Sequence, residues 1–308
     1  MPRLPITEAP HPSGLDLERL TTRRLLARLH AGDVAAVRAV GSALEPLARL
    51  VDLVAARLGA GGRLFYAGAG TSGRLGALDA AECPPTFGVA PSRVQALVAG
   101  GARALRRAAE GAEDDAAAGA AAVRRARVGA ADALVAITAS GTTSFALAAL
   151  EEARRRGAAT ALVTSNPAAR ARADVRVVLA TGPELVAGST RMKAGTATKM
   201  TLGLLSTAVF VRLGAVREGR MAALRPGSAK LRARAIRNVA VLAGVSAARA
   251  RALLERAGWD VPAVLGALDS GRPLARRRYA RDEPARSAGS GSRSRSGSGS
   301  ARPRGDVR

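Results

Sequence analysis

Two short loops, rich in glycine and hydroxyl side chains, carry the residues with the clearest potential for chemistry. In the first, GAGTSGRLG, Gly68, Gly70 and Gly73 have the G-x-G-x-x-G spacing of a dinucleotide-binding turn. Such a site also needs an acidic residue about 20 residues later, at the end of the second strand. Gly100 and Gly101 stand there instead. The spacing therefore does not predict a nicotinamide or flavin enzyme.

The second loop reads TASGTTSF from Thr138 and also follows an apolar run. Ligands of open parallel sheets bind outside the carboxyl ends of the strands, where helix N-termini attract anions. Thr71 and Ser72 in the first loop, with Ser140 and Thr143 in the second, would surround one phosphate with short donors. Either loop alone would also fit an ordinary helix cap. Together they predict a site for the phosphate of a small metabolite.

The elements that must position these loops can be recognised from periodicity. Apolar runs alternate with Ala-rich helical stretches and predict a parallel α/β sheet of about five strands; the runs are RLFYAG, VQALVAG, ALVAIT, TALVTS and VRVVLAT. Residues 17–30 and 33–58 have helical periodicity, and 190–214 predicts one long helix against the sheet. Residues 229–268 predict three short helices, with breaks at Val245-Ser246 and Trp259-Asp260.

These patterns divide the chain into four regions. N-terminal helices (1–60) pack on an α/β core (61–225), a three-helix segment follows (226–271), and the chain ends in an Arg/Ser/Gly-rich tail (272–308). The tail has 11 Arg against 3 acidic residues and too few apolar residues to fold, so it is expected to be disordered. It could be a passive extension or an RNA-binding or localising arm.

Composition limits the function further. The formal net charge is +24, but only 2% of the residues are aromatic, so platforms for base stacking are scarce and nucleic-acid binding is not expected outside the tail. No apolar run is expected to span a membrane, and the start MPRLPITEAPHPSG predicts a cytoplasmic protein. Cys83, as the single cysteine, excludes an internal disulfide, and two histidines supply a metal site poorly.

Longer motifs identify a family. The stretches GAGTSGRLG, DAAECPPTFG, EGAEDD and GSTRMKAGTATK resemble the N-acetylmuramic acid 6-phosphate etherases over residues 5–271. The resemblance implies the SIS phosphosugar-isomerase fold with a UBA-like helical appendage, a homodimer and no metal or cofactor. It also implies cleavage of the lactyl ether of the phosphosugar to N-acetylglucosamine 6-phosphate and D-lactate, in peptidoglycan amino-sugar recycling.

The same resemblance assigns residues. Glu82 matches the proton-donating catalytic glutamate of the family and Glu113 its second essential carboxylate, and which of them is the C2 base stays open. Either glutamate could instead be a charge on a helix surface. Cys83 is interpreted as a buried thiol and not as a nucleophile. The expected phosphosugar-binding residues are Thr71, Ser72, Gly73, Ser140, Gly141, Thr143, Ser189 and Lys193.

Departures from the family and rival functions remain. The family usually reads SGRTPY where this chain reads SGTTSF, which leaves its specificity for the muramyl group open, and has Asn in place of His11. A non-catalytic regulator of the glucokinase regulatory protein type would share the loops, but it resembles two SIS units in tandem and this chain has one. An aldose–ketose isomerase would lack GSTRMKAGTATK.

Overall fold

The computed structural model describes residues 5–271 of the chain, and the predicted disordered tail lies outside them. Three 3-10 turns (Ile6–Glu8, Pro12–Gly14 and Leu17–Arg19) precede two long helices, α1 (Thr22–Gly41) and α2 (Leu44–Gly59). His11 caps the second turn, because its Nδ1 accepts a hydrogen bond from Ser13 N at 3.0 Å. This is a role that an asparagine side chain also performs.

The predicted boundary between the first two helices is wrong. The pattern places helices at 17–30 and 33–58, whereas α1 runs through Gly32 and ends at Gly41. A Cβ on Gly32 would lie 3.2 Å from Lys193 Cδ. Gly32 is therefore the point where a neighbouring side chain presses against α1, and a close contact of this kind favours glycine inside a helix despite its low helix propensity.

A parallel sheet of five strands forms the core, as predicted, in the order β2-β1-β3-β4-β5. Its strands are β1 (Leu64–Gly68), β2 (Val94–Val98), β3 (Ala133–Ile137), β4 (Ala159–Thr164) and β5 (Val175–Val178). The helices between them are α3 (Gly70–Phe87), α4 (Ala116–Arg125) and α5 (Ser144–Arg155), and α6 (Lys193–Arg212) follows β5. A 3-10 turn, Gly101–Leu105, follows β2.

Helices cover both faces of this sheet. Leu64 and Tyr66 of β1 belong to the apolar cluster that includes residues of α2, α3 and α6, whereas Phe65 and Ala67 belong to the cluster with α4 and α5. All four residues are almost fully buried. This is the pattern of a strand enclosed on both faces, and it explains why β1 appears in the sequence as a continuous apolar run.

The sequence predicts no membrane-spanning segment, but the 20 residues of helix α6 are long and apolar enough to cross a membrane. Inside the protein, however, 56% of this apolar segment is buried. It packs against α1, α2 and α3. The helix thus has the burial of a core helix in a globular protein.

The C-terminal helices have an apolar cluster of their own. A short antiparallel pair, β6 (Val216–Arg217) and β7 (Arg220–Met221), leads into α7 (Ala229–Leu242), α8 (Ala247–Arg256) and α9 (Val261–Ser270). The breaks between them fall where the sequence predicts. Val239, Leu254 and Val264 are fully buried in that cluster. The four regional boundaries stay predictions.

Arginines at the amino end of the sheet account for part of the basic charge. Arg57, Arg93 and Arg156 donate hydrogen bonds of 2.6–2.7 Å to the main-chain carbonyls of Ala130, Gly61 and Val128. Carbonyls at helix C-termini and in loops often have no main-chain partner, and a guanidinium has five N–H donors with which to satisfy them.

The contact between α3 and β1 generates a prediction about stability. A Cβ on Gly73 would lie 2.5 Å from the carbonyl oxygen of Gly68. We expect Gly73→Ala to lower the free energy of unfolding by about 1–3 kcal/mol, because backbone must shift to admit the methyl group. Chemical denaturation measures the effect.

The matched control is Gly266→Ala in α9, where a Cβ would meet no atom within 4 Å. This substitution should stabilise the protein by up to about 1 kcal/mol through helix propensity. Equal stabilities of the two variants would contradict the close contact at Gly73.

Candidate functional site

The first loop places uncapped main-chain donors at the carboxyl edge of the sheet. Strand β1 ends at Gly68, and α3 starts at Gly70 with a φ of 52°, preceded by Ala69, whose side chain cannot cap the helix. Thr71 and Ser72 form the first helical turn and are partly exposed. Main-chain N–H groups and hydroxyls at such a helix start are donors suited to an anion.

The second loop holds its hydroxyls in a network. Thr138 is buried, and its Oγ1 lies 2.9 Å from Thr143 Oγ1 and accepts a hydrogen bond from Gly141 N. The hydroxyls of Ser140 and Thr142 lie 2.8 Å apart. Thr142 stands where the family usually has arginine, and here it contacts the serine expected to bind phosphate. The loop brings together the residues predicted from the sequence.

A third loop, which sequence reasoning missed, supports the second. Asn166 follows β4 and donates from Nδ2 to the carbonyl of Ser140 at 2.7 Å. Its neighbour Ser165 is 1% exposed, and its hydroxyl has no hydrogen-bond partner in the part of the chain that the structure describes. Both residues lie directly after a strand's carboxyl end, but ordinary turn residues share that position, so the sequence alone does not distinguish them.

The start of α6 lies beside the first loop. A Cβ on Gly195 would approach Thr71 Cγ2 to 3.5 Å, and Ser189 precedes the helix by four residues. Glu184, also missed by sequence reasoning, is fully buried and caps the helix by accepting from the main-chain N–H groups of Lys193 and Ala194. The sequence does not indicate this capping role, because Glu184 lies nine and ten residues before the two N–H groups that it accepts from.

Lys193 is occupied inside the protein. Its ammonium donates to the carbonyl of Thr181 at 2.9 Å, and the residue is 5% exposed. Burial lowers the pKa of Lys193, while the charge of Glu184 acts in the opposite direction. The predicted contact of Lys193 with the phosphosugar stays a prediction, as do the ligand roles of the loop residues.

The two candidate catalytic glutamates line different cavities of one chain. Glu113 borders a cavity of about 170 Å³ next to Gly70, beside the first loop. Glu82 borders a groove of about 230 Å³ between α3 and α6. Ser72 and Glu82 are ten residues apart on α3, or about 15 Å along a helix that rises 1.5 Å per residue. Within one chain, Glu82 therefore lies away from the two hydroxyl-rich loops.

Asp79 shares the groove with Glu82 and was not singled out in the sequence. Its carboxylate accepts hydrogen bonds from Tyr66 Oη at 2.7 Å and from Ser206 Oγ at 2.9 Å. Burial raises the pKa of Asp79, although these two hydrogen bonds and Lys199 oppose the shift. The network joins β1, α3 and α6 through one partly buried acid.

Cys83 is not placed for nucleophilic chemistry. The residue is 1% exposed, and its Sγ contacts the carbonyl of Asp79 at 3.2 Å. Burial and the charge of Asp79 raise the pKa of the thiol to about 12. A thiolate is the reactive form, so the interpretation of Cys83 as an inert buried thiol is consistent with its surroundings. Among residues 5–271, no three His, Cys, Asp or Glu side chains cluster in a way that could hold a metal ion.

Comparison with known proteins defines the class first. Residues 46–154, which include β1 to β3 and both hydroxyl-rich loops, match the model of the N-terminal SIS domain of glucokinase regulatory protein. A phosphoheptose isomerase from Francisella tularensis superposes with a TM-score of 0.47 at 15% identity, covering 62% of this chain and 98% of that one. The sheet order and the matched domain make the fold SIS-like.

The curated relatives then define the family. The N-acetylmuramic acid 6-phosphate etherase of Nostoc punctiforme is 48% identical over 255 residues, covering 82% of this chain and 83% of that protein. The etherase of Symbiobacterium thermophilum is 47% identical over 268 residues, covering 86% and 89%. The chain belongs to the N-acetylmuramic acid 6-phosphate etherase family.

The raised pKa of Asp79 leads to a test of its burial. Native Asp79 binds its proton more tightly than in the unfolded chain, so this group makes the wild type less stable as the pH rises above the usual value of 3.8. Asp79→Asn has no carboxyl group at this position and does not lose stability in this way. We therefore expect the free energy of unfolding of the variant to rise relative to that of the wild type between about pH 4 and about pH 7, as measured by urea titrations.

Asp52→Asn is the matched control, because Asp52 lies exposed on α2 in a surface ion pair with Arg212. Its difference from wild type should not follow the trend seen for Asp79. A trend of the opposite sign at Asp79→Asn would mean that the native state stabilises the charged carboxylate.

Proposed function

We propose that the protein cleaves the lactyl ether of N-acetylmuramic acid 6-phosphate. Family membership supports the substrate, and one geometric observation supports the chemistry: Glu113 borders the cavity that adjoins the uncapped start of α3. A phosphate on the N-terminus of α3 and the second loop would leave the sugar carbons in reach of this cavity. No metal or cofactor is needed for the reaction that follows.

The reaction is an elimination followed by an addition. In the open-chain sugar, the aldehyde at C1 makes the C2 proton acidic, and a carboxylate removes it. The bond between C3 and the ether oxygen breaks, and a carboxylic acid protonates the departing lactate. The second group, now a carboxylate, then takes a proton from water, whose oxygen bonds to C3, and the first group returns its proton to C2, which gives N-acetylglucosamine 6-phosphate. Glu82 and Glu113 supply the two carboxyl groups.

The separation of Glu82 from the phosphate loops supports a homodimer in which each site uses two chains. The distance of about 15 Å along α3 exceeds the span from the phosphate to C3 of a sugar. A second copy could instead present its own Glu82 to the cavity beside Glu113. A twofold pair of chains would then carry two such composite sites.

Exposed apolar side chains lie where such a partner would pack. Leu26 and Val37 of α1, Leu78 of α3 and Leu204 of α6 are 44–60% exposed. Helix α6 packs against both α1 and α3, and Leu78 also borders the groove that contains Glu82. Exposed apolar side chains on helices that pack against one another favour a protein interface.

We place this reaction in the cytoplasm. The substrate carries a phosphate and a carboxylate, and the cost of moving charges through hydrocarbon keeps such a molecule in the compartment where it is made.

Turnover in heavy water tests the reaction itself. We expect release of D-lactate from N-acetylmuramic acid 6-phosphate and a product that carries deuterium at C2, because the proton returned there exchanges with solvent on the catalytic group. Lactate assay and mass spectrometry measure the two results.

A substrate deuterated at C2 and run in ordinary water is the control, and its label should wash out. Retention of hydrogen in the first experiment and of deuterium in the second would contradict elimination and require direct displacement by water. Phosphosugar binding without any lactate release would support the regulator of the glucokinase regulatory protein type.

Mixed dimers test the composite site. We expect Glu82→Gln to lose at least about 100-fold in turnover, as a placed general acid should. Ser72→Glu, which puts a carboxylate at the phosphate site, should also be inactive. Dimers with one chain of each kind, purified through two different tags, should recover about half of the wild-type turnover, because one of their two sites is complete.

No recovery in the mixed dimers would mean that Glu82 serves the phosphate loop of its own chain. A chain that sediments as a monomer while active would overturn the dimer and leave the etherase activity standing. Glu255→Gln is the matched glutamate control, because Glu255 is an exposed residue of α8, and it should keep wild-type turnover.

A further inference from the structure

The proposed substrate has a second anionic group, which the hydroxyls of the two loops do not bind. Besides the phosphate on C6, the lactyl group on C3 ends in a carboxylate, and this carboxylate leaves with the lactate. Its recognition would distinguish the substrate from the product N-acetylglucosamine 6-phosphate, which lacks it. The group that binds it should be a cation near Glu113, because the lactyl group is attached to C3 and the proton removed in the reaction is on the neighbouring C2.

Arg74 meets this description. It lies on α3, one turn after Thr71, and among the described residues that border the cavity of Glu113 it is the only cationic one. Its Nε donates to the carbonyl of Ala104 at 2.9 Å, which orients the guanidinium from the opposite wall. A guanidinium has five N–H donors, so most of them remain for a ligand.

No acidic side chain in the described part of the chain forms an ion pair with Arg74. Glu110 and Glu113 border the same cavity, yet among residues 5–271 no ion pair within 4 Å joins either of them to Arg74. Elsewhere, partly buried arginines of this protein do pair, as Arg63 does with Asp132 at 2.8 Å. A partly buried guanidinium with free donors in a cavity suits a carboxylate, which it can bind in a bidentate way.

We infer that Arg74 binds the lactyl carboxylate of the substrate and thereby selects muramyl over glucosaminyl phosphosugars. The inference rests on the proposed function. The phosphate is held by hydroxyls and main-chain N–H groups at the N-termini of α3 and α5, and the carboxylate by Arg74 on the side of Glu113. In this arrangement the two anions of the substrate orient C2 and C3 toward the catalytic carboxylate.

The test compares two substrates and one product on Arg74→Gln. For N-acetylmuramic acid 6-phosphate we expect kcat/KM to fall roughly 10- to 100-fold, the usual effect of losing charge-assisted hydrogen bonds. The dissociation constant of N-acetylglucosamine 6-phosphate should change less than about twofold. An analogue with a carboxamide in place of the lactyl carboxylate should be a poor substrate for the wild type, and the variant should no longer distinguish it from the natural one.

Arg103→Gln is the matched control, because Arg103 is exposed on the neighbouring 3-10 turn and does not border the cavity. It should keep wild-type values for all three compounds. If Arg74→Gln does not fold, Arg74→Lys replaces it, and it should discriminate between carboxylate and carboxamide less than the wild type does.

Two outcomes would overturn the role of Arg74 without touching the etherase activity. One is equal weakening of substrate and product, which would make Arg74 a support for the first loop. The other is a variant that still discriminates between carboxylate and carboxamide, which would assign that recognition to another group. Absence of lactate release from the wild type would refute the proposed function instead.

Discussion

The close packing of α3 against β1 is the contact on which the site depends. A Cβ at Gly73 would come within 2.5 Å of the carbonyl oxygen of Gly68, and one at Gly76 within 2.8 Å of Tyr66 Cβ. The absence of side chains at both positions lets the helix start directly after the strand, with its N–H groups at the sheet edge. This is a packing use of glycines that the dinucleotide motif also shows, and it explains the shared spacing without a shared ligand.

The main features of the fold could be predicted because their signals are local. Five continuous apolar runs became the five strands of the sheet, of which β1, β3 and β4 are buried along their whole length, and the hydroxyl-rich loops follow β1 and β3, as expected. The break near Gly32 is misplaced because glycine usually ends a helix, whereas here the Lys193 side chain of α6 lies close against this position in mid-helix. The sequence of α1 alone does not indicate this contact with Lys193, which lies more than 150 positions away.

The supporting polar residues of the site could not be predicted for the same reason. Asp79 gains its environment from Tyr66 and Ser206, which are 13 and 127 residues away. Asn166 holds the second loop from a different strand. Asn or Asp after an apolar run is common in turns, so only the folded chain distinguishes a support of the site from an ordinary turn residue.

Charge is distributed along the sheet in a way that suits a substrate with two anionic groups. Arginines satisfy main-chain carbonyls at the amino end of the sheet, whereas the two hydroxyl-rich loops at the carboxyl end present neutral donors. Neutral donors would hold the phosphate of the proposed substrate without attracting Glu82 or Glu113 into ion pairs. A single cation, Arg74, would then suffice for the second anion, provided that it stays clear of Glu113. A lysine or second arginine in that cavity would pair with Glu113 and lower its affinity for a proton, which would impair either proton transfer of the proposed elimination.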